Sequence, residues 1–208
     1  MATKDATKNT LWIILASSTL TVMAGSIIGP VVREIGIGLN IDPSSAGLII
    51  TMHGIFVFLL SPLAGSLIDR VGVKRPFVAG LLIYGAAGGS GLLINSYPIL
   101  LLSRAFLGVS VALIFNSVTV AILNLYEGRR RNKVMGLRGS ANSLGAAIWP
   151  LIGGALGVVS WHMPFGVYLV AVPLGLLALV SMPEVGGRSD VQEGSVFTVF
   201  RNNPVIYG

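Results

Sequence analysis

Apolar residues run without an acidic interruption through six stretches of the chain: residues 11–32, 46–68, 77–94, 99–123, 139–159 and 163–182. Each stretch is 18 to 25 residues long, and a helix needs about 20 apolar residues to cross a ~30 Å hydrocarbon core. Inside lipid a crossing segment must satisfy its own backbone N–H and C=O groups, which a helix does and a loose strand does not. The pattern predicts six transmembrane helices. They form an all-α membrane domain over residues 1–184, followed by a polar tail over 185–208 in which residues 195–201 could lie on the membrane surface as a short amphipathic helix.

Composition sharpens this picture. Of 208 residues, 53% are hydrophobic and 11% charged, against about 25% charged in a soluble domain. That excludes a soluble enzyme, a nucleic-acid-binding domain and a disordered tail. The net charge of +6 sits in the loops. Alternate loops carry twelve Lys and Arg residues against Arg33 alone on the other side, with Arg104 embedded in the fourth stretch. The positive-inside rule then places both termini and the 185–208 tail in the cytoplasm, in a multi-pass protein of the cell (inner or plasma) membrane. Lys4 and Lys8 before the first stretch resemble a secretory signal, but its 22 apolar residues exceed the 7–15 of a signal core, so it reads as a retained span. The chain has no Cys, which excludes disulfides, Fe–S clusters and thiol catalysis. Nothing in it calls for a cofactor or a metal.

Glycines at four-residue spacing, Gly25/Gly29, Gly85/Gly89 and Gly153/Gly157, favour close helix packing. Prolines 30, 62, 150 and 173 fall within spans and bend them. Arg104 is a costly intramembrane charge and so a functional candidate, with snorkelling to the outer interface as the plainer account. His53 is the one group within a span suited to titrate near neutral pH, although a core histidine bonded to a carbonyl is simpler.

The most specific segment is Gly65-Ser66-Leu67-Ile68-Asp69-Arg70-Val71-Gly72-Val73-Lys74-Arg75-Pro76. Its spacing, G-x-x-x-D-R-x-G-x-K-R-P, resembles the loop signature of the major facilitator superfamily of secondary transporters. Arg104–Gly108 resembles that family's R-x-x-x-G element, residues 131–136 its loop into helix five, and Trp161 and Pro183-Glu184 bracket span 6 as in the family. In span 5, Gly136, Gly145, Trp149, Pro150, Gly153 and Gly154 stand as G-x8-G-x3-W-P-x2-G-G. This looks like the antiporter signature of drug and metabolite exporters, except that Trp149 takes the place of a Gly. The indole must either fill a gap or alter the packing.

The resemblance covers nearly the whole chain and implies the N-terminal half of a twelve-helix transporter, six helices built as two inverted three-helix repeats. It implies a secondary active exporter or antiporter of a small solute, working by alternating access and not an enzyme. Asp69, Arg70 and Arg75 would hold the cytoplasmic gate, supported by Gly65, Gly72 and Lys74. Ser17, Ser18, Thr21, Arg104 and Asn116 would line the path through helices 1 and 4. Partners implied are the bilayer, a small-molecule substrate, and a second six-helix unit in a homodimer or from another chain. The chain reads either as a natural half-size transporter or as a fragment. No Asp or Glu lies within a span, which removes the usual proton carrier. Two other classes compete. One is a non-transporting six-helix scaffold or regulator. The other is an intramembrane serine protease, because Gly88-Gly89-Ser90-Gly91 matches G-x-S-G and His162 could act as base. Ser90 and His162 fall in a different span and loop from those the protease family uses, so a Gly-rich packing face is simpler.

Overall fold

The computed structural model of the chain describes residues 2–186. The surface helix expected at 195–201 lies outside the described residues. The elements are α1 (Ala2–Ser26), a 3-10 turn at Gly29–Val31, α2 (Val32–Gly38), α3 (Pro43–Val71), α4 (Lys74–Gly89), a 3-10 turn at Ser90–Leu92, α5 (Tyr97–Leu125), α6 (Gly128–Gly157), α7 (Met163–Gly166), a 3-10 turn at Val167–Val170, and α8 (Ala171–Ser181). No strand occurs among the described residues. The protein is an all-α membrane protein. Four stretches are long and apolar enough to cross a bilayer: Lys8–Gly38, Pro43–Val71, Tyr97–Leu125 and Met163–Ser181.

The helix boundaries have local causes. Asp42 caps α3, accepting from the Ser45 N–H at 3.0 Å and the Ser45 hydroxyl at 2.6 Å, with the Ser44 hydroxyl as a further donor and Pro43 at the first helical position. The Ser44 and Ser45 donors hold the Asp42 carboxyl well below the usual carboxylate range. Gly72 ends α3 at φ 83°, a conformation that favours glycine. Pro173 sits in the first turn of α8, where its missing N–H is not needed, whereas Pro62 and Pro150 lie inside α3 and α6.

Several boundaries differ from the sequence expectation, among them the start of α1 at Ala2 and the two that follow. The first span continues through Gly29–Val31 into α2, because Pro30 tightens the chain without stopping it. Helix α6 begins at Gly128, absorbing residues expected to form the 124–138 loop, so Arg138 lies within a helix. Lys and Arg can stay solvated while the helix runs out into the headgroup region.

Helix α5 packs against both α3 and α4, α1 against α6, and α4 against α8. The core gathers Met23 and Ile27 of α1, Phe77, Leu81 and Tyr84 of α4, Leu107, Ile114 and Val118 of α5, and Phe165 and Tyr168. Small residues set the closest crossings, as expected where lipid removes most of the hydrophobic drive. A Cβ at Gly108 would overlap the His53 carbonyl of α3, and one at Gly153 would overlap the Ile27 carbonyl of α1. Gly85 and Gly89 likewise lie against Val172 and Leu169, but nothing stands within 4 Å of a Cβ at Gly29. Helix α3 buries only Ala46, Ile49, Ala64 and Ile68, and turns Phe58, Leu59 and Leu63 outward.

Candidate functional site

At the α3–α4 turn, Asp69, Arg70 and Arg75 are exposed, Lys74 is half-buried and Gly72 is buried. Among the described residues Asp69 has no hydrogen bond or ion pair. Gly65 is half-buried, and a Cβ there would meet nothing within 4 Å among the described residues. The turn is instead held by a segment the sequence did not single out for contact: the Val73 N–H donates to the Val185 carbonyl at 2.9 Å, and the Glu184 carboxylate lies against Gly72. Pro183-Glu184, which the sequence marks only as the end of span 6, opens this strap.

A cavity of about 630 Å³ opens between α1, α3 and α5, with Thr21, His53, Val57, Phe58, Ser61 and Val111 on its walls. Asn116 is not among the wall residues but reaches one of them, donating from Nδ2 to the Ala112 carbonyl at 2.8 Å and the Ser61 carbonyl at 3.5 Å. The His53 ring rests against Gly25, and its buried Nδ1 makes no hydrogen bond of standard geometry. Thr21, one of the residues expected along the path, lies on this wall. Ser17 and Ser18 do not, being buried on the inner side of α1; Ser18 donates to the Ile14 carbonyl at 2.7 Å. Such back-bonding to the helix's own carbonyls is common for small hydroxyls.

Arg104 is also placed differently from the expectation. It is 0% exposed, neither lining the cavity nor snorkelling. Nη2 donates to the Ala87 and Gly88 carbonyls at 3.3 and 3.2 Å, and the guanidinium stands 5.0 Å from the Phe165 ring and 5.2 Å from Tyr168. Nη1 has no partner. A Cβ at Gly88 would overlap Tyr168, so this glycine lets the Phe165–Tyr168 segment close on α4 beside Arg104, and Arg104 bridges α4, α5 and that segment. The Tyr84 and Tyr168 hydroxyls donate to the Leu20 and Ala24 carbonyls, tying the same cluster to α1.

Helix α6 supplies a second site. A cavity of about 510 Å³ lies between α1 and α6, bounded by Trp12, Ala16, Thr19, Leu137, Leu144 and Trp149 among others. The indole of Trp149 fills the gap that a Gly would leave: Nε1 donates to the Thr19 carbonyl at 3.0 Å and stands 3.1 Å from a Cβ placed on Gly145. Gly145 and Gly153 thus share the α1-facing side, Gly154 approaches Pro30, and Pro150 is half-buried. Gly136 is exposed with open space around it. Two substitutions on this one helix should therefore part ways. Gly153→Ala must push α1 back and is expected to lower stability by about 1–2 kcal/mol, while Gly136→Ala should gain about 0.5–1 kcal/mol through helix propensity. Thermal unfolding in detergent reads both, and equal shifts would contradict the packing.

Arg138, which sequence reasoning assigned to a loop, is 7% exposed. Nη1 donates to Thr119 Oγ1 at 2.8 Å, Nη2 to the Phe115 carbonyl at 3.4 Å, and the guanidinium lies 4.5 Å from the Phe115 ring. Ser90 and His162 are not brought together: Ser90 Oγ donates to the Ala87 carbonyl at 2.7 Å, whereas His162 pairs with Asn95 Oδ1 at 3.0 Å and stacks on Trp161. Burial holds the His162 pKa below its usual value, opposed in part by the Ile94 backbone.

Comparison with known proteins gives a consistent result. The family model described as Major Facilitator Superfamily matches residues 14–208. "Multidrug resistance protein 1" of Bacillus subtilis (strain 168) is 30% identical over 171 residues, covering 82% of this chain and 43% of the relative. "Quinolone resistance protein NorA" of Staphylococcus aureus is 28% identical over 142 residues, covering 68% and 36%. A crystal structure of the peptide transporter POT in complex with sulfate superposes with a TM-score of 0.71 at 23% identity, covering 82% of this chain and 37% of that one. The chain thus spans less than half the length of these relatives.

Proposed function

Since the chain belongs to the Major Facilitator Superfamily, we propose that it provides one six-span half of an efflux transporter that moves a small lipophilic solute by alternating access. Both termini lie in the cytoplasm, and the six spans form two inverted three-helix repeats. A second six-helix unit completes the solute path. The names of the relatives, multidrug and quinolone resistance proteins, support export as the direction.

The observation that carries this reading is the one-sided cavity between α1, α3 and α5. Thr21, His53 and Ser61 sit on its wall, and polar groups at hydrocarbon depth face a cavity or a partner rather than lipid. The opposite wall must come from elsewhere. The outward Phe58, Leu59 and Leu63 face of α3, with open space at Gly65, supplies the pairing surface; the Gly145 side of α6 is already taken by α1.

Topology tests the frame. The chain has no Cys, so single cysteines label without background. Ser44→Cys and Leu93→Cys should react with an impermeant reagent from outside, and Arg75→Cys and Asn132→Cys only after permeabilisation. The inverse pattern would overturn the orientation. Mass measurement in native lipid together with vesicle efflux tests pairing. A monomer that transports a fluorescent dye would rule the second unit out.

A further inference from the structure

Another cavity, of about 450 Å³, lies where α2 meets the start of α3, and its volume is that of an ordinary small-ligand site. Val32, Ile37, Ile41, Pro43 and Ala46 make its walls apolar, and Arg33 is the one charged residue on them. The two sides come together at Gly36, where a Cβ would stand 3.4 Å from the Ala46 side chain. Arg33 is exposed, and among the described residues it has no hydrogen bond or ion pair. Its planar fork of N–H donors is therefore open to a bound group. Glu34 and Asp42 are near in sequence, but neither lines the cavity, and the Asp42 carboxylate already accepts from Ser44 and Ser45.

The depth of this cavity narrows its occupant. The first span runs over Lys8–Gly38, 31 residues, or about 46 Å at ~1.5 Å per residue against a ~30 Å core. With Lys8 in one headgroup layer, Arg33 is about 37 Å away and reaches the other. On the orientation proposed above, that is the outer layer. One cation on otherwise apolar walls suits an amphiphile better than a soluble anion, which needs donors on several sides. At headgroup depth the amphiphile present is a phospholipid. Its phosphodiester matches the guanidinium fork, and the apolar part beside it would cover Ile37, which is 70% exposed.

We propose that the α2–α3 cavity is a phospholipid site, in which Arg33 holds the phosphodiester and Ile37, Ile41 and Pro43 meet the adjoining apolar carbons. The site goes beyond the efflux reading and stands independently of it.

Photo-cross-linking in a bilayer without phosphate tests the proposal. The full chain is placed in vesicles of digalactosyldiacylglycerol with a trace of phosphatidylcholine carrying a diazirine on its acyl chain close to the glycerol, and adducts are mapped by peptide mass spectrometry. Adducts should concentrate within residues 32–46. Unlabelled phosphatidylcholine should displace them, whereas dioleoylglycerol and inorganic phosphate should not. Arg33→Gln should lower labelling of this segment roughly 10-fold, the low end of what a charge-assisted contact supplies. Arg33→Lys should keep part of the labelling, and Glu34→Gln nearly all of it. Adducts on the outward Phe58–Leu63 face of α3 report general lipid contact and should be alike in every variant. Absence of adducts from 32–46, labelling there that survives Arg33→Gln, or equal displacement by dioleoylglycerol overturns the proposal. Displacement by inorganic phosphate overturns it in favour of a soluble anion.

Discussion

Arg104→Ala is expected to lower the stability of the bundle by about 2–4 kcal/mol, the balance of lost charge-assisted bonds, ring contacts and packing against recovered desolvation. The fully buried guanidinium is the common neighbour of the Ala87 and Gly88 carbonyls and the Phe165 and Tyr168 rings, so truncation leaves all four facing a void. Arg104→Met separates charge from volume. An unbranched apolar chain fills most of the space and relieves the cost of burying a cation, so most of the stability should return. Neither variant touches Thr21, His53 or Ser61, and solute affinity should follow the folded fraction. The measurement pairs thermal unfolding in detergent with dye binding per folded molecule. If Arg104→Ala melted like the unsubstituted chain yet lost binding, Arg104 would be a path residue after all.

The second large effect is conformational. On the proposed reading of the chain as one half of an alternating-access pair, Asp69→Asn is expected to shift the ratio of cytoplasm-closed to cytoplasm-open states by roughly 10- to 150-fold, and to slow turnover. A contact made in one state alone moves the equilibrium by its own worth, and a charge-assisted hydrogen bond contributes about 1.5–3 kcal/mol. Within this chain Asp69 is exposed and has no partner among the described residues, so the isolated chain should melt unchanged. On the alternating-access reading proposed above, the effect arises in a state in which the second unit closes on this turn. Labelling cavity cysteines from each side reads the ratio; an unaltered ratio with unaltered turnover would make the turn an ordinary charged connector.

The apolar runs made the helices legible, because crossing a bilayer fixes a length that sequence can show directly. Their ends were less so. Arg129 to Arg138 looked like a loop, since charge excludes a segment from hydrocarbon, but it does not stop a helix from continuing into the headgroups. At the site, the motif residues of α6 could be placed from their spacing alone, and Gly145, Trp149 and Gly153 do share a face. The path residues could not. Ser17 and Thr21 stand only about 40° apart around a helix, yet one is enclosed and the other reaches the cavity. That difference is decided by where α3 and α5 lie. Arg138 was hidden for the same reason, because its partners are 19 and 23 residues away on a neighbouring helix.

The strap at Val185 has a mechanical consequence. Because the Val73 N–H is bonded to the Val185 carbonyl, a pull on the chain beyond Gly186 loads the α3–α4 turn before it reaches α8. The load falls first on a single hydrogen bond and on the Glu184 side chain seated at Gly72. The exit of the polypeptide and the motif turn therefore form one lever arm, with its fulcrum at the only left-handed residue between α3 and α4.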